Sequence, residues 1–208
     1  EDGDMIDDQD KIRLLVDPSS DYVKAIVNSL NRAKDDVIIS AFGGSARSST
    51  TTIALPASQK IAVGGTGLTK AKMIQARKLF RGNEADVEAG EELFMAYGAT
   101  QLSDLLSDTT LTNTEVNTVL SLMSGSIPNA TLMGFKMIPI ERQPKASTTR
   151  YCYAWAKSGM TLGIGQDVKT RIGEDPGKGF NVRLYAKMSI GAVRVEEEKV
   201  VEIACTET

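Results

Sequence analysis

After Asp17-Pro18, apolar residues fall at Tyr22, Val23, Ile26, Val27, Leu30, Ala33, Val37, Ile38 and Ala41. This three-four spacing predicts a helix over about residues 18–42, roughly 37 Å long at ~1.5 Å per residue. Pro18 suits a first helical position, where its missing N–H has no partner to lose, and Asp17 can cap. Gly43-Gly44 stops the pattern. Late in the chain, Val182, Leu184, Ala186, Met188, Ile190 and Ala192 alternate with Asn181, Arg183, Tyr185, Lys187 and Ser189. Period two predicts a long half-buried strand, about 46 Å if continued to Arg194 at ~3.3 Å per residue.

The middle of the chain is mixed. Thr69 can cap a helix ended by Gly82, with Leu68 and Met73 at the staple positions and Met73, Ile74, Leu79 and Phe80 as its apolar face. Lys70, Lys72, Arg77, Lys78 and Arg81 form its basic side. Two further helices are predicted, near Thr100 to Asp108 and from the capping box at Thr112 to Gly125. Strands are expected at Leu93–Tyr97, Phe135–Ile138, Tyr151–Ala156, Met160–Ile164 and Val200–Cys205. The last of these could pair antiparallel with its predecessor. Gly43–Thr52 reads as a flexible connector. Without strict βαβ alternation, the class is α+β.

Composition narrows the chemistry. The 208 residues include no histidine and two cysteines, Cys152 and Cys205. That excludes Ser-His-Asp triads, Cys-His dyads and His-ligated or four-thiolate zinc sites. One bridge between the cysteines is possible, and two buried thiols in a reduced setting is the preferred reading. There are 24 basic and 27 acidic residues, a net charge of -3, and 5% aromatics. These disfavour a free-standing DNA-binding domain and a base-stacking platform. No apolar run reaches the ~18 to 20 residues of a membrane span. The acid-rich Glu1–Asp10 reads as a solvated arm, because Ile6 and Ile12 break the alternation of a calcium loop.

Each catalytic pattern fails on a specific residue. Gly64–Thr69 resembles a phosphate loop, but Leu68 stands where the lysine is needed. Gly177-Lys178-Gly179 lacks the metal-binding hydroxyl, and Val168 replaces the third glycine of a dinucleotide fingerprint at Gly163-Ile164-Gly165. Gly43-Gly44-Ser45-Ala46-Arg47 has Arg47 where a nucleophile elbow needs glycine. Asp35 and Asp36 diverge by about 100° on a helix. Asp104 and Asp108 lie one turn apart and could share a cation. Glu196–Glu198 is a solvated turn or an interface ridge. No active site assembles, and no cofactor is implied.

Several stretches resemble the major capsid proteins of tailed bacteriophages, the fold first described for phage Hong Kong 97 and shared with encapsulin shells. They are Asn31-Arg32-Ala33-Lys34-Asp35-Asp36-Val37-Ile38-Ile39, the Gly64–Thr69 turn, Gln101-Leu102-Ser103-Asp104-Leu105-Leu106, Gly134-Phe135-Lys136 and Ala154-Trp155-Ala156-Lys157-Ser158-Gly159. Ile164–Ile172, Ser189-Ile190-Gly191-Ala192 and Glu196–Ile203 complete the set. The resemblance implies a peripheral (P) domain with a long spine helix and long strands, and a mixed α/β axial (A) domain. The expected division is an acidic arm at 1–17, spine and connector at 18–52, A domain at 53–156, P-domain strands at 157–192, and a return to the A domain at 193–208. Family members carry an N-terminal arm and an E-loop before the spine. The short run before Asp17 and the absence of an initiator Met give the expectation that this segment is missing here.

The function so implied is a structural subunit, not an enzyme, that self-assembles through hexamers and pentamers into an icosahedral shell around double-stranded DNA. An encapsulin-like compartment is the alternative. Scaffold, portal and decoration proteins are expected partners, with non-specific contact to packaged DNA and no membrane. The protein would reside in the virion and assemble in the host cytoplasm. Candidate inter-subunit contacts are Asp7, Asp8 and Asp10 in the arm, and Lys70, Lys72 and Arg77 on the basic helix. Arg171, Glu174, Asp175 and Lys178 belong to the set through a Gly173–Gly179 loop expected to project between long strands.

Overall fold

The computed structural model describes residues 2–6, 19–48, 50–86, 90–107, 131–175, 177 and 181–207. In chain order, strand β1 (Asp2–Ile6) is followed by helix α1 (Ser19–Gly43) and the short strands β2 (Ala46–Ser48) and β3 (Thr51–Ile53). Next come β4 (Lys60–Ile61), α2 (Lys70–Gly82), β5 (Leu93–Tyr97) and α3 (Ala99–Ser107). Strands β6 (Thr131–Leu132), β7 (Phe135–Pro139), β8 (Lys145–Ala146) and β9 (Thr149–Ala156) lead to the long β10 (Met160–Asp175) and β11 (Asn181–Arg194). The final strand is β12 (Val200–Thr206). The helix predicted between Thr112 and Gly125 lies outside the described residues, as does Asp108.

The chain divides into two units, one of residues 1–38 and 162–192 and the other of residues 39–161 and 193–208. In the first, the sheet order is β1-β11-β10. Ile26 and Leu30, one turn apart on α1, are buried on Leu184 and Ala186 of β11, with Val23, Val168 and Met188 at the margin. The helical three-four stripe and the period-two strand face thus meet, each covering the other's apolar side. Lys34 Nζ closes one edge on Asp167 Oδ1 at 2.8 Å.

The second unit is built on a sheet of order β4-β12-β9-β5-β7-β6, with β8 beside β9. β12 runs antiparallel to β9 from Val200↔Trp155 to Thr206↔Thr149 and parallel to β4. β5 pairs antiparallel with β9 and parallel with β7. Val201, Ile203 and Cys205 point to one face, where they join Leu68, Met73, Ala76, Phe80 and Leu105 in the main core. On the opposite face Phe42 stacks on Tyr153 and packs on Trp155, at ring-centroid distances of 5.2 and 4.6 Å.

Four expectations need correction. Gly43–Thr52 is not simply a connector, because β2 and β3 pair antiparallel from Ala46↔Ile53 to Ser48↔Thr51. The β-branched Thr51, Thr52 and Ile53 favour extended backbone. The acidic start is not wholly a solvated arm, since Asp2–Ile6 pairs antiparallel with β11. Ladder hydrogen bonds use backbone groups, so acidic side chains do not forbid them. β12 pairs with β9 and β4 rather than with β11. Val200 to Cys205 are all buried, the mark of a strand covered on both faces. Lastly, β10 continues to Asp175. Gly173–Asp175 is therefore strand rather than loop, although Gly173, Pro176 and Gly177 are turn-forming residues in sequence.

Candidate functional site

The glycine-rich turn before α2 is committed to structure. Gly64 and Gly65 adopt φ of +56° and +68°, conformations that glycine enters without strain. Thr69 Oγ1 accepts from the Lys72 backbone N–H at 3.5 Å, capping α2 as its sequence predicts. Asp104 Oδ2 accepts from the Leu68 N–H at 3.1 Å. A side chain at Gly67 would put its Cβ 1.9 Å from that oxygen. Asp104 is thereby employed in holding the turn. Among the described residues no group of three or more Cys, Asp or Glu is placed to hold a metal.

Lys72 departs from its sequence reading. Its side chain is not on an outward basic face but buried, with Nζ donating to the carbonyls of Val63, Thr66 and Ala204 at 2.8, 2.7 and 2.7 Å. Position 72 lies beside Met73 and Ala76 on the inward side of α2, and three donors suit an ammonium to a cluster of turn and strand carbonyls. Desolvation lowers its pKa.

The outward side of α2 is different. Ile74, Arg77, Lys78 and Arg81 follow an i, i+3, i+4, i+7 stripe. With Asp86 and Met133 they line an open groove of about 560 Å³. Arg77 and Arg81 both pair with Asp86, at 3.1 and 3.5 Å. Three cations against one carboxylate leave the groove positive. Ile74 stays 49% exposed at its side. Lys70 is half-buried at the start of the helix.

A second polar cluster forms at the end of β12. Arg150 Nε and Nη2 donate to Glu207 at 2.5 and 2.9 Å. Nη2 also reaches Glu141 Oε1 at 2.9 Å, and Nη1 donates to the carbonyls of Glu141 and Gln143 at 2.6 and 3.2 Å. Glu141 in turn accepts from the Ala99 N–H at the start of α3. The Arg150 guanidinium beside Glu207 pulls its carboxyl down to about 2. A carboxyl held so acidic is no general acid near neutrality, and every guanidinium donor is spoken for. The cluster ties three segments together.

The remaining candidates are scattered. Arg171 is exposed on β10, and Glu174 and Asp175 fall at the end of that strand. Asp7, Asp8, Asp10 and Lys178 lie outside the described residues. Cys152 and Cys205 are free and buried. A hydrogen bond with the neighbouring Cys205, and then burial, push the Cys152 thiol up. Sequence reasoning missed Arg194, which is buried while its neighbours Val193 and Val195 are exposed. The signal was available in the strand alternation, which sends residue 194 inward and 193 and 195 outward.

The family model described as phage capsid protein matches residues 1–207. No protein of curated function matches by sequence. Among solved structures, the capsid of Ralstonia phage GP4 is similar at a TM-score of 0.73 with 9% identity, over 100% of this chain and 72% of that one. A structure from Mycobacterium phage Che8 gives 0.67 with 18% identity, over 97% of this chain and 68% of the other. The SrpI encapsulin complex of Synechococcus elongatus gives 0.59 with 8% identity, over 97% and 71%. At such identities the likeness is one of fold.

Proposed function

This chain belongs to the phage capsid protein family, with the Hong Kong 97-like fold, and from that premise we propose how it builds and fills its shell. It is a structural subunit of the virion capsid. The finer reading is a self-assembling icosahedral shell of hexamers and pentamers that encloses double-stranded DNA and forms in the host cytoplasm, with scaffold, portal and decoration proteins as further partners. The unit of residues 1–38 and 162–192, with most of α1, β10 and β11, takes the part of the P domain, and the unit with the larger sheet that of the A domain. The observation that carries this reading is the family match along residues 1–207.

The physical character of the chain supports it. Closed shells repeat heterologous contacts about symmetry axes, and many modest contacts act together once the shell closes. Charged rims suit such assembly better than large apolar patches, which would aggregate beforehand. Here the polar clusters are spent on internal ties, as at Arg150 and Lys72, and charge of both signs remains outside. Arg171 and Lys70 remain candidates for contacts between copies, and DNA contact would come through scattered Lys and Arg without sequence preference.

The encapsulin likeness supplies the second reading. Nucleic acid separates the two. Particles purified from a lysed host should protect double-stranded DNA from nuclease. Particles that carry protein cargo and no DNA would favour the compartment instead.

A further inference from the structure

In the unit of residues 39–161 and 193–208, the large apolar side chains left exposed among the described residues are Ile74, Val193 and Val195, at 49, 43 and 51%. Each sits among charges of one dominant sign. Ile74 shares its helical stripe with Arg77, Lys78 and Arg81, above the groove that Met133 also lines. Val193 and Val195 project outward because Arg194 between them turns inward, and the chain continues directly into Glu196, Glu197 and Glu198. Glu196 and Glu198 are exposed. Glu196 has an in-chain partner in Lys199 at 3.2 Å, whereas no ion pair engages Glu198 among the described residues.

An apolar-basic groove and an apolar-acidic ridge therefore lie on the same folded unit, each with what the other lacks. A solitary exposed isoleucine needs no explanation. Matching apolar residues flanked by opposite charge are the pattern expected of an interface, in which the charges set register and exclude wrong partners. We propose that the Ile74-Arg77-Lys78-Arg81 stripe of one copy docks on the Val193–Glu198 ridge of a neighbouring copy, a contact between unlike patches of the kind that propagates around a ring. This rests on the shell reading and names a contact within it.

The test uses charge reversal in the full-length protein. Lys78→Glu and Glu198→Lys each alter an exposed side chain, so both variants should keep the wild-type melting temperature. Each alone should lower the assembled fraction, read by sedimentation, roughly tenfold or more, and the double variant should recover most of it. Normal assembly of either single variant overturns the pairing. A Lys78→Glu shell that forms normally but packages less DNA overturns it too, by assigning the stripe to nucleic acid. A double variant as impaired as the singles shows that the two patches do not meet. If the wild-type protein itself forms no particles, the shell reading fails instead.

Discussion

Arg194 Nη1 donates to the carbonyl oxygen of Phe42 at 2.7 Å, so the end of β11 caps the end of α1. The same nitrogen reaches Gly44 O at 2.7 Å, and Nη2 reaches Ile53 O at 3.1 Å. The last carbonyls of a helix have no intrahelical partners and carry partial negative charge. α1 has no basic residue in its own last turn. A cation from a distant strand supplies what the helix lacks, and also fixes the β2–β3 hairpin that follows.

Arg194→Met should therefore cost about 2 to 4 kcal/mol, because it leaves buried carbonyls unpaired. Denaturant unfolding of the isolated subunit measures this. Arg194→Lys should recover only part, since one ammonium lacks the fork that spans three carbonyls. A Met variant as stable as wild type would show that these carbonyls find other partners.

Glu207 gives the chain an acid-sensitive tie. Its folded carboxyl is pulled from the ordinary 4.5 to about 2 by Arg150. Between those values the unfolded chain takes up the proton first, so the tie is intact above pH 4.5, weakens as pH falls, and is gone below about 2. Thermal melts across this interval should show Glu207→Gln less sensitive to pH than wild type, and less stable at neutrality. An unchanged slope would assign the sensitivity to other groups.

Gly67→Ala should destabilise the subunit by about 1 to 3 kcal/mol, because the new Cβ would displace Asp104 from the Leu68 N–H. The two residues share one contact, so Gly67→Ala and Asp104→Ala should combine to clearly less than their sum. Additive losses in a double-mutant cycle would break this account of the turn.

The legible parts of the fold were those with a strong period. α1, the Thr69 cap and β11 could be read because one face of each is apolar and the other polar. β10 reads as shorter than it is because Gly163, Gly165, Gly173, Pro176 and Gly177 are turn-forming residues that argue for loop in one dimension. β1 was missed since its pairing depends on backbone groups, to which an acidic sequence gives no clue. Lys72 shows a different limit. The basic residues of α2 all look alike in one dimension, and only the carbonyls of Val63, Thr66 and Ala204, brought together by folding, decide that this one turns inward. Missing residue types exclude histidine-based chemistry from the sequence alone, whereas the exposure of Ile74, Val193 and Val195 is visible only in the folded chain.

The central claim, a subunit whose function is to join copies of itself, is tested most directly by cryo-electron microscopy of the purified full-length protein under assembly conditions. Closed icosahedral particles, with Ile26 and Leu30 of α1 packed on Leu184 and Ala186 of β11 in every subunit, are the predicted result. A protein that stays a small soluble oligomer at every concentration and salt tried, with no shell in the micrographs, would contradict it.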